Sequence, residues 1–560
     1  MKREKTIWFE HQKPELWASE YPECSMYAYV EKTALKYPDY YALFFEGKRT
    51  TYSKLIEKID ICADSLLSFG VKKNDLVTII SPNIPQAVYT VYAVNKIGAV
   101  ANIVHPLLSE NEIKDIVQRA ESNIVFIPEQ FCSKVKGIAL QDGTKPLVVL
   151  YQINDELSFP KDVLYKVTSK IPKEPTEKNR IYWKTFIGYA SGKTIKDSGA
   201  KADDLAIVVY TGGTTGRQKG VMLTNLNFNS LAIQSYDTMG IDDVSGMKVL
   251  AILPIFHGTG MGVCIHSMLC NAFQVFLVPQ YKPDACNRLI FKEKINFIFG
   301  VPAFYEALVR SREIEKYSCA FLKVLGSCGD VLPDKTRKKM NAYLKKSGAN
   351  ATITNGYGMS ECTAGCCYEP FFLKKEGSSG MMVPDMHYKI VDPGSLRELP
   401  DGEVGELCIS GPTVMKGYFR NDELTRKVLK VHEDGKLWLH SGDAFFADKD
   451  GYLYYKMRLD RMFIVSGYNI YPQEMESVIN SIPGVFQCCI VGKNADVTGK
   501  RIVAFIIPEA NANNNDLEKE ILSVCKMNFA EYSIPQEIIF VAEFPKTRYG
   551  KVDYKKLEVE

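Results

Sequence analysis

Short apolar runs and amphipathic stretches alternate along the first part of the chain. Leu76 to Ile80 has the character of a buried strand, Gln86 to Lys96 has helical spacing, and Val100 to Val104 repeats the strand pattern. A further strand is predicted at Asn123 to Ile127. This alternation predicts crossover units built around mostly parallel sheets that are covered by helices.

One helix start can be read directly from the residues between two of these strands. Ser109-Glu-Asn-Glu112 has the spacing of a capping box, in which the Ser and Glu side chains bond each other's backbone N–H groups. The residues that follow place four apolar side chains on one helical face: Ile113, Ile116, Val117 and Ala120. We therefore expect a helix that packs this face onto a sheet.

The pattern changes after Gly402, where short strands and glycine turns become frequent. Gly405 to Ser410 and Gly451 to Tyr455 are predicted strands of a β-rich sub-region. A compact α+β unit is predicted to follow, with a helix from Pro472, strands at Gln487 to Val491 and Ile502 to Ile507, and a helix from Asp516. No internal sequence repeat is detected.

Length and pattern together predict an α/β fold with two domains. A chain of 560 residues exceeds what one hydrophobic core usually supports. We expect a large N-terminal domain, residues 1–459, that contains the helix-covered parallel sheets and the β-rich sub-region. A small C-terminal α+β domain, residues 460–560, is expected to follow it.

The composition is that of an ordinary globular protein and excludes several functional classes. Hydrophobic residues make up 46% and charged residues 24%, and 69 basic against 66 acidic residues give a net charge of +3. So even a balance argues against a nucleic-acid-binding surface. The 15 cysteines lack CxxC spacing, the first residues lack the apolar core of a signal peptide, and no apolar stretch is long enough for a membrane span. A cytoplasmic enzyme is expected, with peripheral membrane contact left open.

One segment has the composition of a phosphate-binding loop. An apolar strand, Leu205 to Val209, runs into Tyr-Thr-Gly-Gly-Thr-Thr-Gly-Arg-Gln-Lys-Gly-Val at positions 210–221. Glycines let backbone N–H groups turn toward an anion, threonine hydroxyls add donors, and Lys219 supplies a positive charge. The segment contains no Gly-Lys-Ser/Thr, so it is not the loop of a P-loop NTPase. A flexible surface loop is the alternative interpretation.

Three further segments carry a family resemblance, in the same order as in the family. Asn355-Gly-Tyr-Gly-Met-Ser-Glu361, Ser441-Gly-Asp443 with Arg458, and Pro545-Lys-Thr-Arg-Tyr-Gly-Lys551 resemble motifs of the adenylate-forming superfamily. That superfamily includes acyl-CoA synthetases, peptide-synthetase adenylation domains and luciferases. The likeness covers nearly the whole chain, from near Glu31 to Lys556.

The resemblance implies that the chain activates a carboxylic acid with ATP. Attack of the carboxylate on the α-phosphate forms an acyl-adenylate and releases pyrophosphate, so the site must hold triphosphate, Mg²⁺ and carboxylate in line. By resemblance, the β- and γ-phosphates bind the glycine-rich loop, whose members here are Thr211, Gly212, Gly213, Thr214, Thr215, Gly216 and Lys219. Gln218 stands where the family usually has proline, and we expect this change to loosen the loop without removing its donors.

The other nucleotide contacts are carried over in the same way. Glu361 is the expected Mg²⁺ ligand, because Mg²⁺ commonly takes one carboxylate together with phosphate oxygens and waters. Asp443 offers acceptors for the ribose hydroxyls, and Arg458 adds a cationic donor. Tyr357 is expected to stack on adenine, with simple packing as the alternative. The remaining expected ATP or AMP contacts are Gly329, Asn355, Gly356 and Ser360.

A catalytic lysine and a hinge are implied for the C-terminal part. Lys551 would bridge the carboxylate oxygen and the α-phosphate during adenylation. Asp460 falls where the family has its hinge, and rotation there would withdraw Lys551 from the site. The same rotation would bring Ser466, Gly467 and Tyr468 to the site for CoA, so that one site serves two reactions.

An acid-binding pocket is expected around Leu253-Pro-Ile-Phe-His-Gly-Thr-Gly-Met-Gly262, which resembles the family's substrate-side motif. His257 lies at its aromatic gate position and joins Lys219, Glu361 and Lys551 as a catalytic candidate. The predicted pocket residues are His257, Gly258, Thr259, Gly260, Val301, Gly326, Ser327 and Cys328.

The residue types in this pocket favour an apolar acid. No aspartate is present to pair the ammonium group of an amino acid, and the glycines predict an open floor for a long or bulky tail. Ile464 occupies the position of a cationic partner that some aryl-CoA ligases have, which favours an unfunctionalised acyl chain. An aryl acid is the alternative.

The sequence therefore predicts an ATP-dependent, AMP-forming carboxylate–CoA ligase with a fatty acid as substrate. One alternative transfers the acyl group to the phosphopantetheine of a carrier protein, because both acceptors end in the same thiol arm. Another is a non-catalytic nucleotide-binding relative, but the charged residues of all four motifs argue against it. ATP, Mg²⁺ and coenzyme A are the expected cofactors, and a carboxylic acid is the expected small-molecule partner.

Overall fold

The computed structural model describes residues 7–11, 20–158, 160–162, 178–193, 195–211, 218–311, 316–465, 468–495, 499–510, 512–546 and 552–559. The chain divides into two compact units. Unit 1 comprises residues 1–387 and 410–439, and unit 2 comprises residues 388–409 and 440–560. The chain thus passes between the units three times. The predicted domain hinge at residue 460 stays a prediction.

The strands are numbered along the chain. The first part of the chain contributes β1 Tyr41–Phe45, β2 Lys48–Thr51, β3 Leu76–Ile80, β4 Val100–Val104, β5 Ile124–Pro128, β6 Leu147–Tyr151, β7 Arg180–Tyr182, β8 Leu205–Thr211, β9 Lys219–Thr224, β10 Lys248–Ala251, β11 Gln274–Leu277, β12 Phe297–Gly300, β13 Val324–Ser327, β14 Ile353–Gly358, β15 Gly365–Tyr368 and β16 Met381–Met382. The later part contributes β17 His387–Val391, β18 Gly405–Ser410, β19 Gly417–Tyr418, β20 Leu429–Val431, β21 Leu437–Ala447, β22 Leu453–Arg458, β23 Phe463–Val465, β24 Tyr468–Ile470, β25 Val485–Ala495, β26 Gly499–Pro508 and β27 Glu537–Phe540.

Two sheets of unit 1 share one core topology. The first has the strand order β19-β9-β8-β4-β3-β5-β6-β7, and the second has the order β16-β15-β14-β13-β12-β10-β11-β1-β2. Within each, five parallel strands lie in the order 2-1-3-4-5, as β4-β3-β5-β6-β7 and as β11-β10-β12-β13-β14. The predicted α/β class with mostly parallel sheets is confirmed, and the topology repeats although no sequence repeat was detected.

Helices connect these strands and cover the sheets. The α-helices of unit 1 are Ile7–Glu10, Met26–Lys36, Tyr52–Ser68, Pro85–Lys96, Glu110–Ala120, Trp183–Ile187, Asn225–Asp237, Met268–Cys270, Pro283–Glu293, Pro302–Ser311, Asp334–Lys346 and Asp422–Val428. A π-helix spans Gly260–Ser267, and 3-10 turns span Glu129–Val135, Ile153–Glu156 and Ser360–Cys362. None of the described helices combines the length and apolarity needed to cross a bilayer.

The predicted capping box starts its helix as expected. Ser109 Oγ accepts a bond from the Glu112 N–H, and a Glu112 carboxylate oxygen accepts one from the Ser109 N–H at 3.0 Å. The four apolar residues of the predicted face are buried, and three of them join the core under the first sheet. The capping box therefore fixes where this helix begins, and the apolar face determines which side of it is buried.

Unit 2 contains β22 to β27, most of β17, β18 and β21, and a second set of helices. In it, β18 and β22 both pair with β21, β23 pairs with β24, and β25-β26-β27 form a three-stranded sheet. The α-helices are Pro472–Asn480, Asn514–Asn528 and Tyr554–Val559, and 3-10 turns span Leu459–Arg461 and Glu531–Ser533. Helix Asn514–Asn528 begins two residues before the predicted start, because the Asn513 side chain caps it. The predicted strand Gly451 to Tyr455 instead spans Leu453–Arg458.

All fifteen cysteines are free thiols. Only Cys24 and Cys328 among them are not fully buried. Burial of the remaining cysteines is typical of thiols that pack in a protein core.

Candidate active site

The predicted acid-binding and adenine-binding residues meet at one edge of the second sheet. Residues 252–257 follow β10, Val301 follows β12, Cys328 and Gly329 follow β13, and Asn355 lies in β14. The strands β10, β12, β13 and β14 are consecutive parallel neighbours, so their carboxyl ends lie side by side. The gap between β10 and β12 is also where the strand order reverses, and ligands of open α/β sheets bind at such a point.

Asn83 holds the acid motif, Leu253 to Gly262, in place. Its amide nitrogen donates to the carbonyls of Ala251 (2.8 Å) and Leu253 (2.9 Å), and its amide oxygen accepts from the Ile255 N–H (2.7 Å). The residue is buried and comes just after β3 of the first sheet. One side chain therefore ties the end of β3 to the turn that carries His257.

The acid motif lies directly against the adenine motif, Asn355 to Glu361, at Gly258. A methyl group at this position would overlap the carbonyl oxygen of Thr363 and would lie 3.5 Å from the Ser360 Cα. Only glycine permits this approach of two backbones. The predicted acid pocket and the predicted nucleotide contact Ser360 are thus neighbours in the structure.

The glycines after His257 do not form the open floor that the sequence suggested. Residues Gly260–Ser267 form a buried π-helix. A side chain at Gly260 would overlap the carbonyl of Pro254, and one at Gly262 would lie 2.7 Å from Leu231 Cδ2. These glycines therefore allow close packing of the helix, and the expectation of open space beside them is wrong. Short π-helices are frequent at functional sites.

An aromatic stack flanks the predicted gate. The Phe256 ring lies 5.0 Å from the His257 ring and 4.1 Å from the His105 ring, centroid to centroid. The Leu107 N–H donates to His105 Nδ1 at 3.0 Å, which requires an unprotonated nitrogen there. Burial and, next, the Lys134 charge lower the pKa of His105 from its usual 6.5 to about 4. His105 therefore stacks as a neutral ring at neutral pH.

The far wall of the predicted pocket is fixed by a buried tyrosine. The Tyr305 hydroxyl lies 2.8 Å from the carbonyl oxygen of Gly326, and a side chain at Gly326 would lie 2.8 Å from the Phe299 ring. Burial raises the pKa of the Cys328 thiol to about 12, which disfavours the nucleophilic thiolate at neutral pH. The buried Ser327 hydroxyl has no hydrogen-bond partner among the described residues and is a polar group that a ligand could use.

The adenine motif forms a strand whose backbone is anchored from outside. The Asn355 N–H donates to a carboxylate oxygen of the buried Glu369 at 2.8 Å. Burial raises the pKa of Glu369. Tyr357 is half-buried and pairs with Cys367 across the antiparallel neighbour β15. A half-exposed ring on this strand is compatible with base stacking, which stays a prediction.

Glu361 and Lys219 meet at a tyrosine that the sequence did not single out. Glu361 is 8% exposed, and its Oε1 accepts a hydrogen bond from the Tyr418 hydroxyl at 2.7 Å. The Lys219 ammonium lies 5.8 Å from the centre of the Tyr418 ring. Tyr418 is held beside β9 by strand pairing with Val221. The predicted metal ligand and the predicted phosphate-binding cation thus share one buried aromatic partner.

Only the ends of the predicted phosphate loop lie within the described residues. Thr211 pairs with Lys219 where β8 and β9 meet, so the two ends are adjacent. The residues Gly212, Gly213, Thr214, Thr215 and Gly216 lie outside the described residues. Gln218 is 8% exposed, its side chain donates to Glu112 Oε1 and its carbonyl accepts from Arg119. Gln218 is therefore anchored at this end of the loop, and its effect on the tightness of the whole loop stays a prediction.

The predicted ribose contact belongs to unit 2. Asp443 is 3% exposed, and Arg458 Nε lies 3.1 Å from its Oδ1 across the β21–β22 pair. The preceding Gly442 has a φ of +72°, and its N–H donates to Glu406 Oε1 at 3.0 Å. Strand pairing places Asp443 opposite Arg458, and glycine permits the left-handed turn just before it. The pair offers one acidic and one basic group, as the sequence predicted.

The predicted hinge residue lies between two anchored arginines. Asp460 Oδ1 is 3.8 Å from Arg458 Nε, and the Tyr554 hydroxyl is 3.3 Å from Asp460 Oδ2. The next residue, Arg461, forms a partly buried bidentate ion pair with Glu476 at 2.6 and 3.2 Å. Among the predicted residues of this part, Ser466, Gly467 and Lys551 lie outside the described residues, and only the backbone of Tyr468 is described.

Two family models match the chain over most of its length. The model of the AMP-binding enzyme matches residues 30–419, and the model of the AMP-binding enzyme C-terminal domain matches residues 474–551. The chain belongs to the AMP-binding enzyme family. The predicted superfamily is confirmed, and with it the class of enzyme, an AMP-forming acid–thiol ligase that uses ATP and CoA.

Curated relatives match this AMP-binding enzyme from end to end. It is 28% identical to a long-chain-fatty-acid–CoA ligase of Bacillus subtilis (strain 168), with 98% of both chains covered. It is 27% identical to a protein of the same name from Salmonella typhimurium, with 99% of this chain and 98% of the relative covered.

Solved structures share its fold. ATP-bound MatB from Rhodopseudomonas palustris has a TM-score of 0.81 at 23% identity, and 96% of this chain and 99% of that chain are covered. The anthranilate CoA ligase AuaEII with anthranoyl-AMP has a TM-score of 0.80 at 21% identity, with 96% and 97% covered. At these identities the likeness concerns the fold alone.

Proposed function

We propose that this AMP-binding enzyme is an ATP-dependent acid–CoA ligase that acts on a fatty acid through an acyl-adenylate. In the first step a carboxylate oxygen bonds to the α-phosphorus, the bond to the β-phosphate oxygen breaks, and pyrophosphate leaves. In the second step the deprotonated CoA sulfur bonds to the acyl carbon, and AMP leaves with the oxygen that came from the carboxylate. The observation that carries the proposal is the direct contact of the acid and adenine motifs at Gly258.

Residues of unit 1 would handle the triphosphate and its metal ion. Glu361 is suited to Mg²⁺, because one carboxylate oxygen is hydrogen-bonded by Tyr418 and the described residues supply no further hydrogen bond to the other. When bound, Mg²⁺ would neutralise charge on the phosphate oxygens. Lys219 would add a second positive charge, and Thr211 with its glycine-rich neighbours would supply hydrogen-bond donors.

Residues of unit 2 would serve the ribose, the catalytic lysine and the thiol step. Asp443 would accept hydrogen bonds from the ribose hydroxyls, with Arg458 beside it. Lys551 would donate to the carboxylate and α-phosphate oxygens as charge moves between them. After adenylation, rotation at Asp460 would exchange Lys551 for the Ser466–Tyr468 segment and admit CoA.

The pocket and the relatives support a fatty acid as substrate. The eight predicted pocket positions include no carboxylate, lysine or arginine. An uncharged acyl tail would therefore not bury a charged side chain that lacks a partner. Full-length relatives are named for long-chain fatty acids. An aryl acid stays the alternative, because Phe256 and His105 would also suit a flat ring.

A pyrophosphate-release screen tests this proposal. Straight-chain acids of two to eighteen carbons and a set of aryl acids are compared at equal concentration, with ATP and Mg²⁺. Each is run with CoA and, separately, with a phosphopantetheinylated carrier protein. We expect the highest kcat/KM for a fatty acid with CoA.

The screen also separates the alternatives. Preference for an aryl acid would show that the substrate is an aryl acid rather than a fatty acid. Turnover with the carrier protein alone would show that its phosphopantetheine, and not CoA, is the thiol acceptor. Absence of pyrophosphate release with every acid would contradict the proposed activity. The cytoplasmic location and any peripheral membrane contact stay predictions.

A further inference from the structure

The two ends of the predicted phosphate loop are adjacent and share one neighbour. Thr211 and Lys219 are paired residues, and so are Tyr210 and Gly220 one step further along. Backbone pairing therefore couples the positions of the two ends of the loop. Arg119, at the end of helix Glu110–Ala120, contacts Tyr210 before the loop and Gln218 after it.

Arg119 is fixed by three different interactions. Its Nε donates to Asp115 Oδ2 at 2.8 Å, one turn back on the same helix. Its Nη2 donates to the Gln218 carbonyl at 3.3 Å, and its guanidinium lies 5.8 Å from the centre of the Tyr210 ring. The side chain is 17% exposed. A planar guanidinium can stack on a ring and donate at its edge at the same time, whereas an ammonium cannot.

Gln218 adds a second link to the same helix. Its Nε2 donates to Glu112 Oε1 at 3.3 Å. The other oxygen of Glu112 accepts from the N–H and hydroxyl of Ser109, at 3.0 and 2.6 Å, in the capping box. The first turn of the helix thus holds the Gln218 side chain, and the last turn holds its carbonyl.

We propose that Arg119 and Gln218 are positioning residues that fix the exit of the phosphate loop, so that Lys219 is presented to the triphosphate. This rests on the proposed function, in which the loop binds the β- and γ-phosphates. Neither side chain needs to touch the nucleotide. Their effect is to hold Tyr210, Gln218 and Lys219 on helix Glu110–Ala120 before ATP arrives, which lowers the ordering cost of binding.

The test compares the affinities of ATP and AMP, which differ in the phosphates that the loop would hold. Mg²⁺·ATP and AMP are titrated calorimetrically into the wild-type enzyme and into Arg119→Gln, without acid or CoA. We expect the variant to bind ATP about tenfold more weakly, the effect of one lost hydrogen bond from a charged donor. We expect AMP affinity to change less than about twofold, because this is within the scatter of a surface substitution.

The control is Arg310→Gln, which breaks a similar i,i+4 pair with Glu306 on helix Pro302–Ser311. It should leave both affinities unchanged. Arg119→Lys keeps the charge without the planar fork, and we expect it to recover only part of the ATP affinity. If Arg119→Gln melts too low to titrate, Gln218→Ala replaces it, with an expected loss of about threefold for ATP alone.

Three results are decisive. Equal losses for ATP and AMP would show a general structural role and overturn the proposal, and so would wild-type ATP affinity in the folded variants. Absence of ATP binding by the wild-type enzyme would overturn the proposed function itself, and with it the ground for this inference.

Discussion

Tyr418→Phe removes one hydroxyl from the centre of the candidate site and leaves the ring. That hydroxyl bonds a carboxylate oxygen of the buried Glu361 at 2.7 Å, the length expected of a strong O–H···O⁻ bond. The ring keeps its place 5.8 Å from the Lys219 ammonium, so the cation is undisturbed. The variant therefore tests how Glu361 is held, separately from Lys219.

The magnitude follows from the chemistry of this bond. A hydrogen bond to a charged group contributes about 1.5 to 3 kcal/mol, and its loss leaves a buried carboxylate without that donor. Each 1.4 kcal/mol or so is a factor of ten, so kcat/KM for adenylation should fall about 10- to 100-fold. The Mg²⁺ concentration for half-maximal rate should rise, because a carboxylate that is no longer oriented binds the ion less well.

Two assays separate this role from general damage. Pyrophosphate release is measured against Mg²⁺ concentration, and thioester formation is measured from a presynthesised acyl-adenylate, which needs no triphosphate. We expect only the first to change. Tyr236→Phe is the matched control, since it removes a hydroxyl that donates to the Asp242 carbonyl at 2.6 Å in another part of unit 1. A folded Tyr418→Phe with the wild-type Mg²⁺ profile would refute the reasoning.

Three further predictions concern other parts of the molecule. Lys551→Ala should abolish adenylate formation and spare thioester formation from a presynthesised adenylate, with the exposed Lys555→Ala as control; equal loss in both steps would indicate a structural role. Gly260→Leu should lower the melting temperature rather than shift acid chain-length preference, because the new side chain would overlap the Pro254 carbonyl, and a stable variant with shortened preference would contradict this. His105→Gln should flatten the fall in unfolding free energy between pH 6.5 and about 4, as measured by urea titration. The folded-state pKa of His105 lies below its unfolded value, so the stability that the neutral ring provides is lost as pH falls. An unchanged slope would count against this prediction.

Local signals predicted the framework well because they depend on neighbouring residues. The capping box, the apolar runs of β3 and β4 and the strand Gly405–Ser410 lie where the sequence indicated. The shifts at other ends arise from side chains and strand pairing that a pattern does not show. Asn513 advances a helix start, and β25 and β26 extend beyond their apolar cores because they pair along their whole length.

Contacts between distant residues could not be predicted in the same way. Tyr418 is 57 positions from Glu361 in sequence, and no local pattern distinguishes it from a packing residue. Asn83 reaches the acid motif from another sheet, and Arg119 meets Gln218 only after the chain has folded. The glycines after His257 show the reverse error, since their spacing suggested room where the fold brings backbones together.

Oxygen-18 transfer from the carboxylate to AMP tests the account most directly. A fatty acid labelled in both carboxylate oxygens is incubated with the enzyme, ATP, Mg²⁺ and CoA, and the products are analysed by mass spectrometry. If an acyl-adenylate forms, one labelled oxygen remains on the α-phosphorus, so each thioester formed should be matched by one AMP carrying a single label. Thioester formation with unlabelled AMP, or with ADP and labelled phosphate, would contradict the account.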